Sequence, residues 1–199
     1  KEQKTAFIQA QTGLGKTYGY LLPALSMKSE GGILVSVPTK ILQNQIMQEE
    51  GRRLKDTFHI DIHSLKGPQN YLKLDNFYKI LHRPESNRLF TRFKMQVLIW
   101  LTETETGDLD EIGQLYRYQH FLAELVHDGK LSKKSLFISE DFWQRSQDRA
   151  KSSRLLLTNH AYLVTRLEDD PEFVNNRLVI IDEAQKMLIA LENLAQESY

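Results

Sequence analysis

Ala10-Gln11-Thr12-Gly13-Leu14-Gly15-Lys16-Thr17 is the stretch on which the fold turns. A short apolar run at residues 6–9 precedes it and an amphipathic pattern at 17–28 follows, so it reads as a loop joining a strand to a helix. Gly13 and Gly15 let successive backbone N–H groups turn inward at a helix start, where the helix dipole also favours negative charge. In such a loop Lys16 reaches the β- and γ-phosphates of a nucleotide, and the Thr17 hydroxyl takes a Mg2+ position. The strict pattern GxxxxGK[ST] has Gly where this chain has Ala10, so the match is to the looser form. The alternative is a bland Gly-rich turn, against which the strand–loop–helix setting argues.

A second stretch supplies what the first lacks. Leu178-Val179-Ile180-Ile181 reads as a strand buried on both faces, and it ends in Asp182-Glu183-Ala184-Gln185. An acidic pair after a strand is often only a helix start. Four apolar residues before it place Asp182 at the carboxyl end of a central strand, the edge where a phosphate loop also lies. There Asp182 can hold Mg2+ and Glu183 can orient or deprotonate an attacking water. The two stretches together imply a site that binds ATP-Mg2+ and hydrolyses it.

Between them the pattern is one of strands alternating with helices. Buried-strand character occurs at 6–9, 33–37, 60–64, 155–158 and 178–181; helical periodicity occurs at 17–28, 39–54 and 183–196. Pro23 is an internal irregularity in the first helix, and Pro38-Thr39 is a plausible cap for the second. Such alternation predicts an α/β fold with a parallel sheet covered by helices on both faces. Residues 66–151 break the rhythm. They carry amphipathic patterns at 71–81, 88–101, 116–126 and 140–150 without a convincing buried strand, far more chain than a crossover needs. The expected organisation is therefore 1–65 with 152–199 as one α/β domain, and 66–151 as a mainly helical insertion.

The bulk numbers fit this. A chain of 199 residues is one large domain or a domain with an insertion, and 41% apolar with 26% charged residues is a globular composition. No apolar run approaches the ~20 residues needed to span a bilayer, so a cytoplasmic protein without membrane partners is expected. The absence of cysteine excludes disulfides, a thiolate nucleophile and a cysteine-ligated iron–sulfur cluster. Lys1 opens the chain almost at a strand, and 192–199 stay helical without a stop signal, so both ends are expected to be cuts in a longer protein. Net charge is zero, yet residues 51–100 hold ten Lys/Arg against four Asp/Glu. That is either a phosphate-backbone track or an ordinary solvated helix face.

Several motifs now combine. Asp182-Glu183-Ala184-Gln185 resembles the DEAH/DEAD box of superfamily 2 helicases, and AQTGLGKTYGYLLPA, VSVPTKILQNQI, LKGPQNYL and LLLTNHAYLV resemble the DinG branch, relatives of the XPD-type DNA helicases. The resemblance covers the whole chain in order. It implies a RecA-like P-loop NTPase domain that uses ATP and Mg2+, with Ala10 to Thr17 and Gln185 around the nucleotide and Lys16, Asp182 and Glu183 as catalytic residues. It implies single-stranded DNA as partner, with Thr39, Lys40 and Gln43 in a motif that touches the DNA backbone in relatives, and Lys66, Asn70, Tyr71, Lys73 and His160 as further candidate contacts. Lys73 stands where cluster-bearing relatives continue with Cys, which implies the clusterless type of Gram-positive bacteria, often fused upstream to a proofreading-type 3'-5' exonuclease. A second RecA-like domain completes the motor in that family.

Other residues read more plainly. Asn159-His160 matches the family's Asn-His, and the histidine is as suited to holding a loop by hydrogen bonds as to meeting DNA. His59, His63, His82, His120 and His127 lack paired metal spacing and read as structural. Tyr71, Phe77, Tyr78, Phe90, Phe93 and Trp100 could stack on bases, but their helical spacing favours a core.

Overall fold

The computed structural model describes residues 4–9, 15–27, 29–84, 87–112 and 118–197. Loop positions Ala10, Gln11, Thr12, Gly13 and Leu14 lie outside the described residues, as do Lys28, Tyr116 and the last two residues. The chain divides into two compact units, 1–64 with 153–199, and 65–152.

The first unit is α/β. Its sheet consists of β1 (Ile33–Val37), β2 (Ile62–Ser64), β3 (Leu155–Asn159) and β4 (Leu178–Ile181), all parallel, in the order β2-β3-β1-β4. Ile33 is level with both Leu155 and Leu178, which brings the carboxyl ends of the three strands to one edge. β1 and β3 are buried along their whole length because they are central and covered on both faces. Helices α1 (Lys16–Ser26), α2 (Lys40–Ile46), α3 (Arg52–Phe58), α8 (His160–Asp169) and α9 (Met187–Glu197) belong to this unit. Leu21 and Ala24 of α1, Ile46 of α2 and Leu54 of α3 pack with Ile33, Val35, Val37, Ile62, Leu155 and Leu157. Each large aliphatic side chain so buried stabilises by roughly 1.5–3 kcal/mol.

Local chemistry sets the helix ends. Thr39 caps α2, its Oγ1 accepting from the Leu42 N–H at 3.2 Å. The expected helix over 39–54 runs on to 58, but through a π turn at Met47–Gly51 between α2 and α3. Pro23 lies inside α1. Beyond the C-terminus of α1, Arg154 donates to the carbonyls of Met27 at 2.6 Å and Ser29 at 2.9 Å.

One strand expectation is corrected. Residues 4–9 form no strand, and Phe7 and Ile8 are 92% and 89% exposed. β4 is the edge strand among the described residues, with Val179 37% exposed, and residues 6–9 pair with nothing in the described ladders. A segment without a ladder leaves its N–H and C=O groups to water, and β propensity alone does not repay the lost chain entropy.

The second unit is helical, with α4 (Leu74–His82), α5 (Arg88–Leu101), α6 (Gln119–Leu122) and α7 (Phe142–Ser152). Two isolated antiparallel bridges, Tyr71 to Asp108 and Leu72 to Val126, are its extended pairings among the described residues. Phe90, Phe93, Tyr118 and Phe121 form an aromatic cluster with ring centroids 4.6–6.5 Å apart, extended by Phe77, Trp100 and Phe142. Of the aromatics that could have met bases, Tyr71, Phe77, Phe90, Phe93 and Trp100 are core, and Tyr78 is exposed. α6 covers only part of the expected 116–126, because residues 123–125 form a turn that delivers Leu125 and Val126 to the core.

Candidate functional site

The carboxyl edge of the sheet gathers the candidate residues of the first unit. α1 begins at Lys16, preceded by Gly15 at φ +64°, a left-handed conformation that glycine adopts without strain. Among the described residues no side chain caps this end, and Lys16 and Thr17 occupy its first turn. On the same helix Tyr20 donates its hydroxyl to Asp182 Oδ2 at 3.4 Å. Burial, and then the Asp182 charge, push the Tyr20 hydroxyl far above the usual phenol range, so it stays protonated as a donor. The Asp182 N–H donates to the Ser36 carbonyl at 2.9 Å, prolonging the β1–β4 ladder by one bond and holding the carboxylate at the strand end.

Glu183 follows at φ +48°, a left-handed backbone unusual for a residue with a Cβ. Such geometry stores of order 1–3 kcal/mol and persists only where neighbours enforce it. Lys186 pairs with its carboxylate at 2.7 Å, and that hydrogen bond, with a further contribution from the Lys16 charge, holds the Glu183 carboxyl below its usual range. Glu183 is therefore an anion within the field of Lys16. Gln185 lies exposed in the short 3-10 turn Ala184–Lys186.

His160 braces the strained turn. Its Nε2 lies 3.0 Å from the Asp182 carbonyl oxygen and its Nδ1 2.8 Å from Ser36 Oγ. A carbonyl only accepts, so Nε2 carries the proton. Burial lowers the ring's pKa against the opposing pull of Asp182 and Glu183, leaving it neutral, and Nδ1 accepts from the Ser36 hydroxyl.

The candidate DNA contacts separate by burial. Thr39 and Lys40 are exposed at the start of α2. Gln43 is 0% exposed; its Nε2 donates to Ser64 Oγ at 2.9 Å and the Leu157 carbonyl at 3.2 Å, and its Oε1 accepts from Asn159 Nδ2 at 3.1 Å. His160 is equally inaccessible. In the second unit Lys66 is 1% exposed, paired with Asp108 at 2.5 Å and Asp110 at 2.9 Å. Burial raises the Asp108 carboxyl although Lys66 pulls it down. Tyr71, 2% exposed, shares a 2.8 Å hydrogen bond with Ser146, and Asn70 donates to the Gly67 carbonyl at 2.9 Å. Lys73 pairs with Asp128, whose carboxyl this bond holds down at about 2. Gln43, Lys66, Asn70, Tyr71 and His160 all direct polar atoms to partners inside the protein.

Sequence reading missed Tyr20, Ser36 and the bracing part of Asn159. A hydroxyl residue inside the apolar run Ile33-Leu34-Val35-Ser36-Val37 was a usable signal, since a buried hydroxyl needs a partner. Tyr20 carried none. Among the described residues no group of three or more His, Cys, Asp or Glu is placed to hold a metal ion, and no helix is long and apolar enough to cross a membrane.

Known proteins resemble this chain along most of its length. The family model described as DEAD/DEAH box helicase matches residues 1–106. The protein named 3'-5' exonuclease DinG of Bacillus subtilis is 35% identical over 193 residues, covering 90% of this chain and 20% of that protein. Its namesake in Staphylococcus saprophyticus is 32% identical over 190 residues, covering 92% and 20%. The chain thus spans about a fifth of the length of these curated relatives.

Proposed function

The chain belongs to the DEAD/DEAH box helicase family, and from that premise we propose that it is the ATP-holding motor domain of a DinG-type DNA helicase acting on single-stranded DNA in repair or replication. The observation that carries the reading is the meeting, on one sheet edge, of the α1 start at Lys16-Thr17 with the β4 end at Asp182-Glu183, linked through Tyr20. The donor set suits a nucleotide with its metal: a helix start bearing a cation and a hydroxyl, and two carboxylates at the end of β4. Lys16 and the N–H groups of α1 would hold the phosphates, while Thr17 and Asp182 would hold Mg2+, which when bound screens the phosphate charge. Glu183, kept ionised, would take the proton of the attacking water. Ala10 to Leu14 would line the same phosphates, and Gln185 the nucleotide.

Residues 66–151 would be a helical insertion in the motor domain, standing where relatives carry an iron–sulfur domain and built without one. Thr39 and Lys40 would touch the DNA backbone. A second RecA-like domain elsewhere in the full-length protein would close on this one and supply an arginine worth about 10³–10⁵ in rate. The 199-residue chain alone is therefore expected to bind ATP-Mg2+ and turn it over poorly. Equilibrium binding of a fluorescent ATP analogue, set beside phosphate release, tests this: Lys16→Ala should abolish binding, and Glu183→Gln should keep it. Rapid DNA-stimulated turnover by the chain alone would sink the proposal.

The relatives' name, 3'-5' exonuclease DinG, favours a second reading, in which ATP gates the DNA grip of a 3'-5' exonuclease without unwinding. Strand displacement by the full-length protein, with Lys16→Ala as control, separates the two. Unwinding that needs Lys16 selects the helicase; exonuclease activity that responds to ATP without displacement selects the gate.

A further inference from the structure

From the hydrogen bonds of the first unit we infer that Gln43, Asn159 and His160 form a relay of positioning residues that couples the exposed start of α2 to the Asp182-Glu183 turn. The inference rests on the helicase reading and adds to it the path by which DNA at α2 would regulate hydrolysis.

The joint has a defined direction. Gln43 spends both Nε2 hydrogens on Ser64 Oγ and the Leu157 carbonyl, so its Oε1 faces Asn159. Asn159 caps α8, its Oδ1 accepting from the Tyr162 N–H at 3.0 Å, so its Nδ2 faces Gln43. Neither amide can flip without breaking other bonds. Gln43 lies one turn beyond Thr39 and Lys40 on α2, and the next residue after Asn159 is His160, whose Nε2–H holds the Asp182 carbonyl. The final link is the peptide that enters Glu183 at its strained φ of +48°.

A buried polar network of this kind adds little to a core that apolar residues could fill, and each unsatisfied member is costly. What it supplies is geometric definition. A displacement of α2 on binding a phosphate backbone changes the Gln43–Asn159 bond, and through β3 and the His160 ring it shifts the carbonyl that sets where Glu183 points. Small changes there alter the aim of a general base, to which turnover is sensitive.

The test uses the full-length protein. Asn159→Ser keeps a capping oxygen for α8 but removes the amide donor, and Gln43→Met breaks the same joint from the other side. Asn159→Ser should leave ATP affinity and DNA-free turnover unchanged while the ratio of DNA-stimulated to DNA-free turnover falls about three- to tenfold, within the usual reach of residues that modulate coupling. Gln43→Met should lower the ratio similarly, and the double variant should fall no further, because one joint can be broken only once. His160→Leu should lower kcat with little change in KM for ATP. His160→Gln, whose amide offers N–H donors and a carbonyl acceptor, should restore most of it. A stimulated wild type with an unchanged ratio in Asn159→Ser overturns the relay alone, as does full additivity of the two single changes. A wild type without DNA-stimulated, Lys16-dependent turnover overturns the helicase reading and the relay with it.

Discussion

At Asp141 two residue-scale effects oppose one another. Burial pushes its carboxyl up, but hydrogen bonds from His127 Nε2 at 3.0 Å and the Gln144 N–H at 2.8 Å pull it below the ordinary value of 3.8, and the second outcome wins. His127 is locked as that donor because its Nδ1 accepts from the Gly129 N–H at 2.9 Å. A carboxyl whose folded pKa lies below its unfolded one contributes its full stability above the unfolded value and loses it as pH falls through the folded one. Denaturant unfolding between pH 7 and pH 2 should therefore show stability draining away below about pH 4. Asp141→Ala should cost about 1–3 kcal/mol at pH 7 and flatten that part of the profile; an unaltered slope would remove Asp141 from the acid response. The same scale explains why the internal partners of the candidate DNA contacts were not legible in the sequence. A lysine in the sequence carries no mark of the aspartates it will meet, and Lys66 finds Asp108 and Asp110 more than forty positions away.

At the scale of elements, periodicity was a good guide wherever a helix or strand has one buried face and local capping. α5 occupies the expected 88–101, its buried Phe90, Phe93, Val97 and Trp100 falling at helical spacing, with the Asn87 side chain capping its start at 2.9 Å. β1 and β4 also fill their expected spans. The failures have local causes: residues 6–9 lack a ladder partner, and the start of the last helix yields to the turn at Glu183 and a 3-10 segment before α9. The loop at Gly107 shows how an element is seated by one residue. Gly107 has φ +67°, and a Cβ there would fall onto the ring of Phe142, the first residue of α7. Gly107→Ala is expected to cost at least about 2 kcal/mol through overpacking and backbone strain together. Thermal unfolding that leaves the midpoint within a degree of wild type would contradict this seat for α7.

At the scale of the molecule, two units with separate cores imply two cooperative events on unfolding. Lys66→Ala leaves the part-buried Asp108, 16% exposed, without its lysine, a change that should cost less than the ~3–5 kcal/mol of breaking a fully buried pair. Calorimetry should show one transition moved down and the other in place. A single transition shifted as a whole would mean that the units unfold as one.

The chain's own order of residues determined the alternation of strands and helices, the parallel sheet, the helical interval within it and the two motifs that flank it, because period and capping are local properties. Tertiary structure alone decided which polar side chains serve that edge. Gln43 meets Asn159, Ser36 meets His160, and Tyr20 meets Asp182 across separations of 116, 124 and 162 positions. Those meetings depend on strand order and register, and a buried donor takes whichever acceptor the register brings to it.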